Sequence, residues 1–196
     1  MNVVSTDNVN RATSAFLLGV LIVQIIASLK TSKTEANAIG AAVCIVAYMH
    51  YRWMEGADST NMLELRYSDW IVTCPLLLWE LQKMSGQKSK QALVWPVILV
   101  TVMLMSGFAS KRSPDPKSRL YLFMIGCVAF ALCVLLFIRN VEEQHLLVYA
   151  FFGIWSLYPL ASWTNNNVML SILDMISKGG FGLYIATNAF ENENHS

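Results

Sequence analysis

Charge is what this chain has least of. Only 14% of its 196 residues are charged, where a water-soluble domain carries about a quarter. The net charge is +1 and no segment is strongly basic or acidic. That excludes a nucleic-acid partner held by bulk charge, and it excludes a disordered charged tail. Cysteine is sparse too. Cys44, Cys74, Cys127 and Cys133 all fall inside apolar runs and form no C-x-x-C pair, so they read as small core residues rather than as metal ligands or a disulfide frame. No metal site is expected. The polar start, MNVVSTDNVNR, lacks the charged-then-apolar order of a cleavable signal peptide, and the first apolar run is expected to remain as a span. Alternating ten-residue segments, the mark of a transmembrane β-barrel, are missing as well.

Apolar residues fill the space, at 55% of the chain. They gather into seven stretches, about 12–29, 37–54, 65–84, 92–110, 119–138, 144–163 and 168–190. A helix crosses the hydrocarbon core in about 20 residues, so each stretch is long enough for one crossing or nearly so. The separators KTSKTE, EGADSTN, GQKSK, SKRSPDPKS, RNVEEQ and TNNN are short and polar, and FENENHS closes the chain. Connections this short pack neighbours antiparallel. The expected fold is all-α: one seven-helix transmembrane domain over residues 1–196, with no room inside that length for a soluble domain. Orientation is weakly marked. With the N-terminus outside and the C-terminus in the cytoplasm, Lys30, Lys33, Lys83, Lys88, Lys90 and Arg139 face inward, against Arg11, Lys111, Arg112, Lys117 and Arg119 outward.

A few charges lie at membrane depth, where they are costly and mark function by default. The third stretch reads RYSDWIVTCPLLLWEL, with Arg66, Asp69 and Glu80; the seventh reads ILDMISKGGFGLYI, with Asp174 and Lys178; the second carries His50 in AYMHYRWM. Asp174 and Lys178 are one helical turn apart, as are Arg66 and Asp69. Asp69, Thr73 and Glu80 share a face, with Glu80 about 16 Å along the axis from Asp69. Two readings stand at this point. The groups are ion pairs that fix helix register, or the lysine is chemically committed. A bare buried ammonium tends to lose its proton, so one cation among carboxylates suits a lysine joined to an aldehyde as a protonated Schiff base. Trp70, Trp155 and Tyr158 could wall a flat, elongated ligand, although rings at helical spacing also make ordinary core.

With RYSDWIVTCPLLL, WSLYP and the D-x-x-x-K of LDMISKGGFG in this order, the chain resembles the microbial (type I) rhodopsins, and among them the proteorhodopsins. VMLMSGF and FMIGCVAF add to the likeness. The resemblance implies all-trans retinal bound to Lys178, Asp69 as proton acceptor and primary counterion, and Asp174 as second counterion. It places Arg66 just outside them, Thr73 in a hydrogen bond to Asp69, and His50 beside that aspartate. Trp70, Leu77, Met103, Gly107, Trp155, Tyr158 and Pro159 would line the chromophore, with Leu77 favouring green over blue absorption. Glu80 matches the cytoplasmic proton donor of outward proton pumps. The family's sodium and chloride pumps replace these carboxylates, and this chain keeps them.

The pattern departs in places. TNNN stands where the family has an acidic pair for proton release, leaving Glu55 and Glu64 as the nearby candidates. Phe130 replaces a usual tryptophan, and the connection RNVEEQ is short for the family. Such trimming resembles compact rhodopsins of large viruses, some of which conduct ions passively. The leading expectation is a light-driven outward proton pump, a transporter rather than an enzyme. It works in a lipid bilayer on protons, as a homo-oligomer, a pentamer before a trimer. A light-gated cation channel is the first alternative, disfavoured because the second stretch has no interior carboxylate and Gly179 follows Lys178. A photosensor acting through a partner is the other.

Overall fold

A computed structural model of the chain describes residues 3–32, 34–85, 90–141 and 146–194. Lys33, Lys88 and the last three residues of the RNVEEQ connection, all used above, lie outside them. The described residues form seven helical rods and no strand. The first runs Val3–Lys30, the second Thr34–Met54 and the third Ser59–Ser85. The fourth, Val94–Arg112, follows a 3-10 turn at Lys90–Leu93, and the fifth is Pro116–Arg139. The sixth is split into Leu146–Trp155 and Tyr158–Trp163, and the seventh runs from Asn167 to Asn194.

A helix covers each of the seven expected stretches among the described residues, and several helices outrun them. The first begins at Val3 rather than near residue 12, the third at Ser59 rather than 65, and the fifth at Pro116 rather than 119. Apolar runs report the part of a helix that meets hydrocarbon. The backbone hydrogen bonds continue into polar turns beyond it, so the loops shrink. SKRSPDPKS supplies only Ser113–Asp115 as a connection, and Asp115 caps the fifth helix by accepting from Ser118 N at 2.9 Å and Ser118 Oγ at 2.7 Å. Those two hydrogen bonds hold the Asp115 carboxyl below the usual carboxylate range. In TNNN, Asn165 takes a left-handed conformation (φ 54°) and Asn166 caps the seventh helix through Met169 N at 3.0 Å.

Five helices are long and apolar enough to cross a membrane by composition alone: the first, fourth, fifth, sixth and seventh. The second and third, which carry much of the buried and rim charge, fall outside that criterion. The outer faces are apolar throughout the bundle. Ile22, Met105, Val128 and Leu135 are exposed, and Trp53, Trp95, Tyr121 and Trp163 sit exposed toward helix ends, as aromatic side chains do at membrane interfaces. Two apolar clusters fill the inside. One, with Leu77, Leu78, Phe137, Phe152 and Trp155, joins the second to seventh helices; the other, with Leu17, Cys44, Tyr51 and Met54, joins the first three. Cys44, Cys74 and Cys133 are buried, Cys127 is half-buried, and all are free thiols.

Two irregularities shape the interior. Pro159 has no N–H to offer Trp155, and the sixth helix opens there into a turn at Ser156–Leu157. In the seventh helix, Met175–Gly180 winds as a π-helix around Lys178, a form that is rare and tends to occur at functional sites.

Candidate functional site

Arg66, Asp69, Thr73, Leu77 and Glu80 are all buried along one face of the third helix. Opposite them, the seventh helix buries Asp174 and Lys178. Lys178 Nζ donates to Asp69 Oδ2 and lies 3.5 Å from Asp174 Oδ2. One ammonium thus sits between two carboxylates, each of the three at most 2% exposed.

The carboxylates are not equivalent. Asp174 accepts from Tyr51 Oη at 2.8 Å, from Tyr158 Oη at 2.7 Å and from Trp70 Nε1 at 3.1 Å, with Arg66 Nη1 at 3.8 Å. Four donors or cations therefore surround it besides Lys178. Asp69 has the lysine on one oxygen, while its Oδ1 has no hydrogen-bond partner among the described residues. Such surroundings fix Asp174 in place, because Tyr51, Trp70 and Tyr158 bond it from the second, third and sixth helices. They leave Asp69 with a free acceptor site. Arg66 is held by Tyr51 Oη at 3.1 Å and by Ser171 Oγ at 3.2 Å, and Ser171 reaches Asn10 Oδ1 at 3.0 Å. A polar chain thus runs from Asp174 toward the face that carries the N-terminus.

A cavity of about 290 Å³ opens beside Lys178. Every position that the resemblance assigned to the chromophore lines it: Trp70, Leu77, Met103, Gly107, Trp155, Tyr158 and Pro159. Phe130 is part of the wall, as are Cys74 and Cys127. Its far side is kept open by Gly107, where a methyl group would stand 3.0 Å from Tyr67 Oη, and by Gly126, where it would stand 3.0 Å from Ser106 Oγ. The cavity is mostly aromatic and aliphatic, and it ends on a buried lysine whose charge is balanced. These residues fit an elongated apolar aldehyde carried on Lys178.

Other expectations move. His50 is half-buried; its Nδ1 meets the Val46 carbonyl at 2.9 Å and its ring packs edge-on to Trp53. Its hydrogen bond stays within its own helix rather than reaching Asp69. Thr73 does bond Asp69, but its Oγ1 donates to the main-chain carbonyl at 2.9 Å. Glu55 pairs with Arg52 at 2.7 Å and Arg11 at 3.5 Å, and Glu64 pairs with Arg112. Arg52 sits at the N-terminal face, where it shares Glu55 with Arg11, and with it the two faces carry equal numbers of cations.

Sequence reading missed Tyr51, Ser171 and Asn10, and it took Trp70 and Tyr158 for walls alone. The signal for Tyr51 was its place one turn beyond Ala47, on the buried face of the second helix. Asn10 and Ser171 are uncharged, so a search for ionisable groups passes over them.

Glu80 is buried in the half of the bundle nearer the C-terminus, away from Lys178, with Gln24 of the first helix facing it.

Comparison with known proteins agrees with this arrangement. The model of the bacteriorhodopsin-like protein family matches residues 9–192. The chain is 29% identical over 178 residues to sensory rhodopsin-2 of Natronomonas pharaonis, covering 78% of this chain and 72% of the relative. It is 26% identical over 188 residues to the green-light absorbing proteorhodopsin of gamma-proteobacterium EBAC31A08, covering 80% and 72%. Among solved structures, viral rhodopsin OLPVRII superposes with a TM-score of 0.84 at 20% identity, covering 96% of this chain and 98% of that one. The proton pumping rhodopsin AR2 of Acetabularia acetabulum gives 0.84 at 20%, covering 97% and 96%. With a family match over nearly its whole length, a seven-helix bundle and a buried lysine at the end of an apolar cavity, the chain belongs to the bacteriorhodopsin-like family, the retinal-binding microbial rhodopsins of the membrane.

Proposed function

We propose that this chain is a light-driven outward proton pump that carries all-trans retinal on Lys178 Nζ, with its N-terminus outside and its C-terminus in the cytoplasm. The observation that carries the reading is the file of three buried titratable groups, Asp69, Lys178 and Glu80. Their surroundings differ: Asp69 keeps an oxygen without a hydrogen-bond partner, and Asp174 beside it is saturated. When bound, the chromophore supplies light absorption and a change of shape at the lysine. Trp70, Leu77, Met103, Gly107, Trp155, Tyr158 and Pro159 would hold it, and Leu77 at the cavity wall goes with green absorption.

The residues divide the work. The proton on Lys178 Nζ passes to Asp69, which is in contact with it and has a free acceptor oxygen. Asp174 stays ionised, because Tyr51, Tyr158, Trp70 and Arg66 all stabilise its charge. Arg66 and the Ser171–Asn10 chain lead from there toward the N-terminal face. Glu80, buried on the other side, can return a proton to Lys178 Nζ. Thr73 fixes the third-helix backbone between them by bonding the Asp69 carbonyl. Donor and acceptor on opposite sides of one nitrogen give the relay its direction. His50 would stand beside Asp69, with its Nδ1 held at the Val46 carbonyl.

The pump is proposed to act as one domain in a lipid bilayer and as a homo-oligomer, a pentamer before a trimer. A sensory reading has the relatives in its favour, since sensory rhodopsins stand among them at 26–29% identity. Light-driven acidification of a cell suspension separates the two. The pump reading expects acidification that a protonophore abolishes. Glu80→Gln should slow return of the proton to Lys178 by about tenfold or more, in line with the 10²–10⁴-fold contribution of a positioned acid. No acidification from a coloured, folded protein would favour the sensor.

A further inference from the structure

A second polar cluster lies away from the Lys178 cavity, around Glu80. The first helix passes through the membrane as an apolar run, AFLLGVLIVQIIASL, interrupted by Gln24. Gln24 is 0% exposed. Its side chain and the Glu80 carboxyl approach each other. Beyond that approach, Gln24 Nε2 and Oε1 and both Glu80 carboxyl oxygens have no hydrogen-bond partner among the described residues.

Two glycines from other helices make room for the pair. A methyl group added at Gly40 of the second helix would collide with Gln24 Oε1, Glu80 Oε1 and Gln24 Nε2 together. One added at Gly182 of the seventh helix would collide with Gln24 Nε2 and stand 3.2 Å from its Cδ. Four helices thus meet at one small chamber. The first and third fill it with an amide and a carboxyl, and the second and seventh leave it open by having no side chain.

The chemistry of the two groups is matched. A neutral carboxyl presents one O–H donor and one carbonyl acceptor, and a primary amide presents an N–H donor and a carbonyl acceptor. They can therefore pair at two points, each oxygen or nitrogen meeting its complement. An ionised carboxylate only accepts, so the amide oxygen loses its donor and faces a negative charge. The pairing distinguishes the two protonation states of Glu80.

We propose that Gln24 is the positioning residue for the Glu80 proton: its amide pairs with the neutral carboxyl in the chamber that Gly40 and Gly182 keep open. This rests on the donor role proposed for Glu80. When the proton leaves Glu80 for Lys178 Nζ, one O–H bond breaks and one N–H bond forms, and Gln24 turns its N–H group to the carboxylate without gaining or losing an atom.

Infrared difference spectroscopy, light minus dark, tests this on the whole protein in lipid. The carboxyl C=O band that disappears in Glu80→Gln belongs to Glu80. In Gln24→Leu that band should move to higher frequency, as expected of a carboxyl without a partner, and return of the proton to Lys178 should slow about tenfold, because the carboxylate left behind loses the N–H that Gln24 turns to it. Gly40→Ala keeps both polar side chains but pushes them apart, and it should shift the band in the same direction. The visible absorption maximum should hold in both variants. An unmoved band in both would overturn the role of Gln24. A Glu80→Gln protein that keeps every carboxyl band would instead overturn the donor reading, a separate failure. Solid-state NMR of the unsubstituted protein in the dark gives a check free of folding defects. A dipolar contact between the Gln24 side-chain nitrogen and the Glu80 carboxyl carbon is expected, and its absence would overturn the pairing.

Discussion

Asp69 and Asp174 flank the same lysine, and what separates them is their hydrogen bonds. Asp174 gathers Tyr51, Tyr158, Trp70 and Arg66, whereas Asp69 has Lys178 alone on its side chain. Asp174→Asn should therefore cost more stability than Asp69→Asn, because it leaves Arg66 and Lys178 both short of an anion. Breaking a buried pair by removing one partner costs about 3–5 kcal/mol, and the Asp69 variant should stay below that range. Thermal loss of visible absorption in the two variants measures the difference, and equal losses would contradict the division of roles. Much of this site was legible beforehand. Arg66, Asp69, Glu80, Asp174 and Lys178 stand out because charge at membrane depth needs a reason. Tyr51, Ser171, Asn10 and Gln24 carry no formal charge, and a buried amide or hydroxyl resembles a rim residue until its partner is seen. His50 was singled out by its charge-bearing ring too, and its Nδ1 meets the Val46 carbonyl of its own helix.

Among the elements, the seventh helix departs furthest from what its residues suggest. Pro159 marks the opening in the sixth helix in advance, since proline removes a donor. Nothing comparable announces the π-helical turn around Lys178; GG after the lysine signals only a weak helix. Its packing shows why the first of them, Gly179, is there. A methyl group at Gly179 would collide with the Phe16 ring of the first helix. Gly179→Ala is predicted to destabilise the protein by about 1–3 kcal/mol, the usual cost of overpacking. Adding Phe16→Ala should recover part of that loss, because residues in contact are not additive. A double-mutant cycle on thermal stability reads the coupling, and strict additivity would show that the ring does not press on Gly179. Helix ends were the least legible feature of the elements. The polar turn VVSTDNVNR is helical although its composition resembles a tail, because main-chain hydrogen bonding outlasts the apolar run.

At the scale of the whole molecule, low charge was the first clue, and the few charges inside the bundle hold its chemistry. Seven spans in antiparallel order could be counted from hydropathy and short polar separators alone. Their side-by-side arrangement could not, since it depends on long-range contacts such as Lys178 with Asp69 or Gln24 with Glu80. Two irregular helices and several glycines let the rods approach closely enough to enclose both the cavity and the Glu80 chamber. Photocurrent under voltage clamp tests the pump directly. The account predicts an outward current under light that keeps its direction when the proton gradient is reversed and disappears in Lys178→Ala. A current whose sign follows the ion gradient would contradict it and identify a channel.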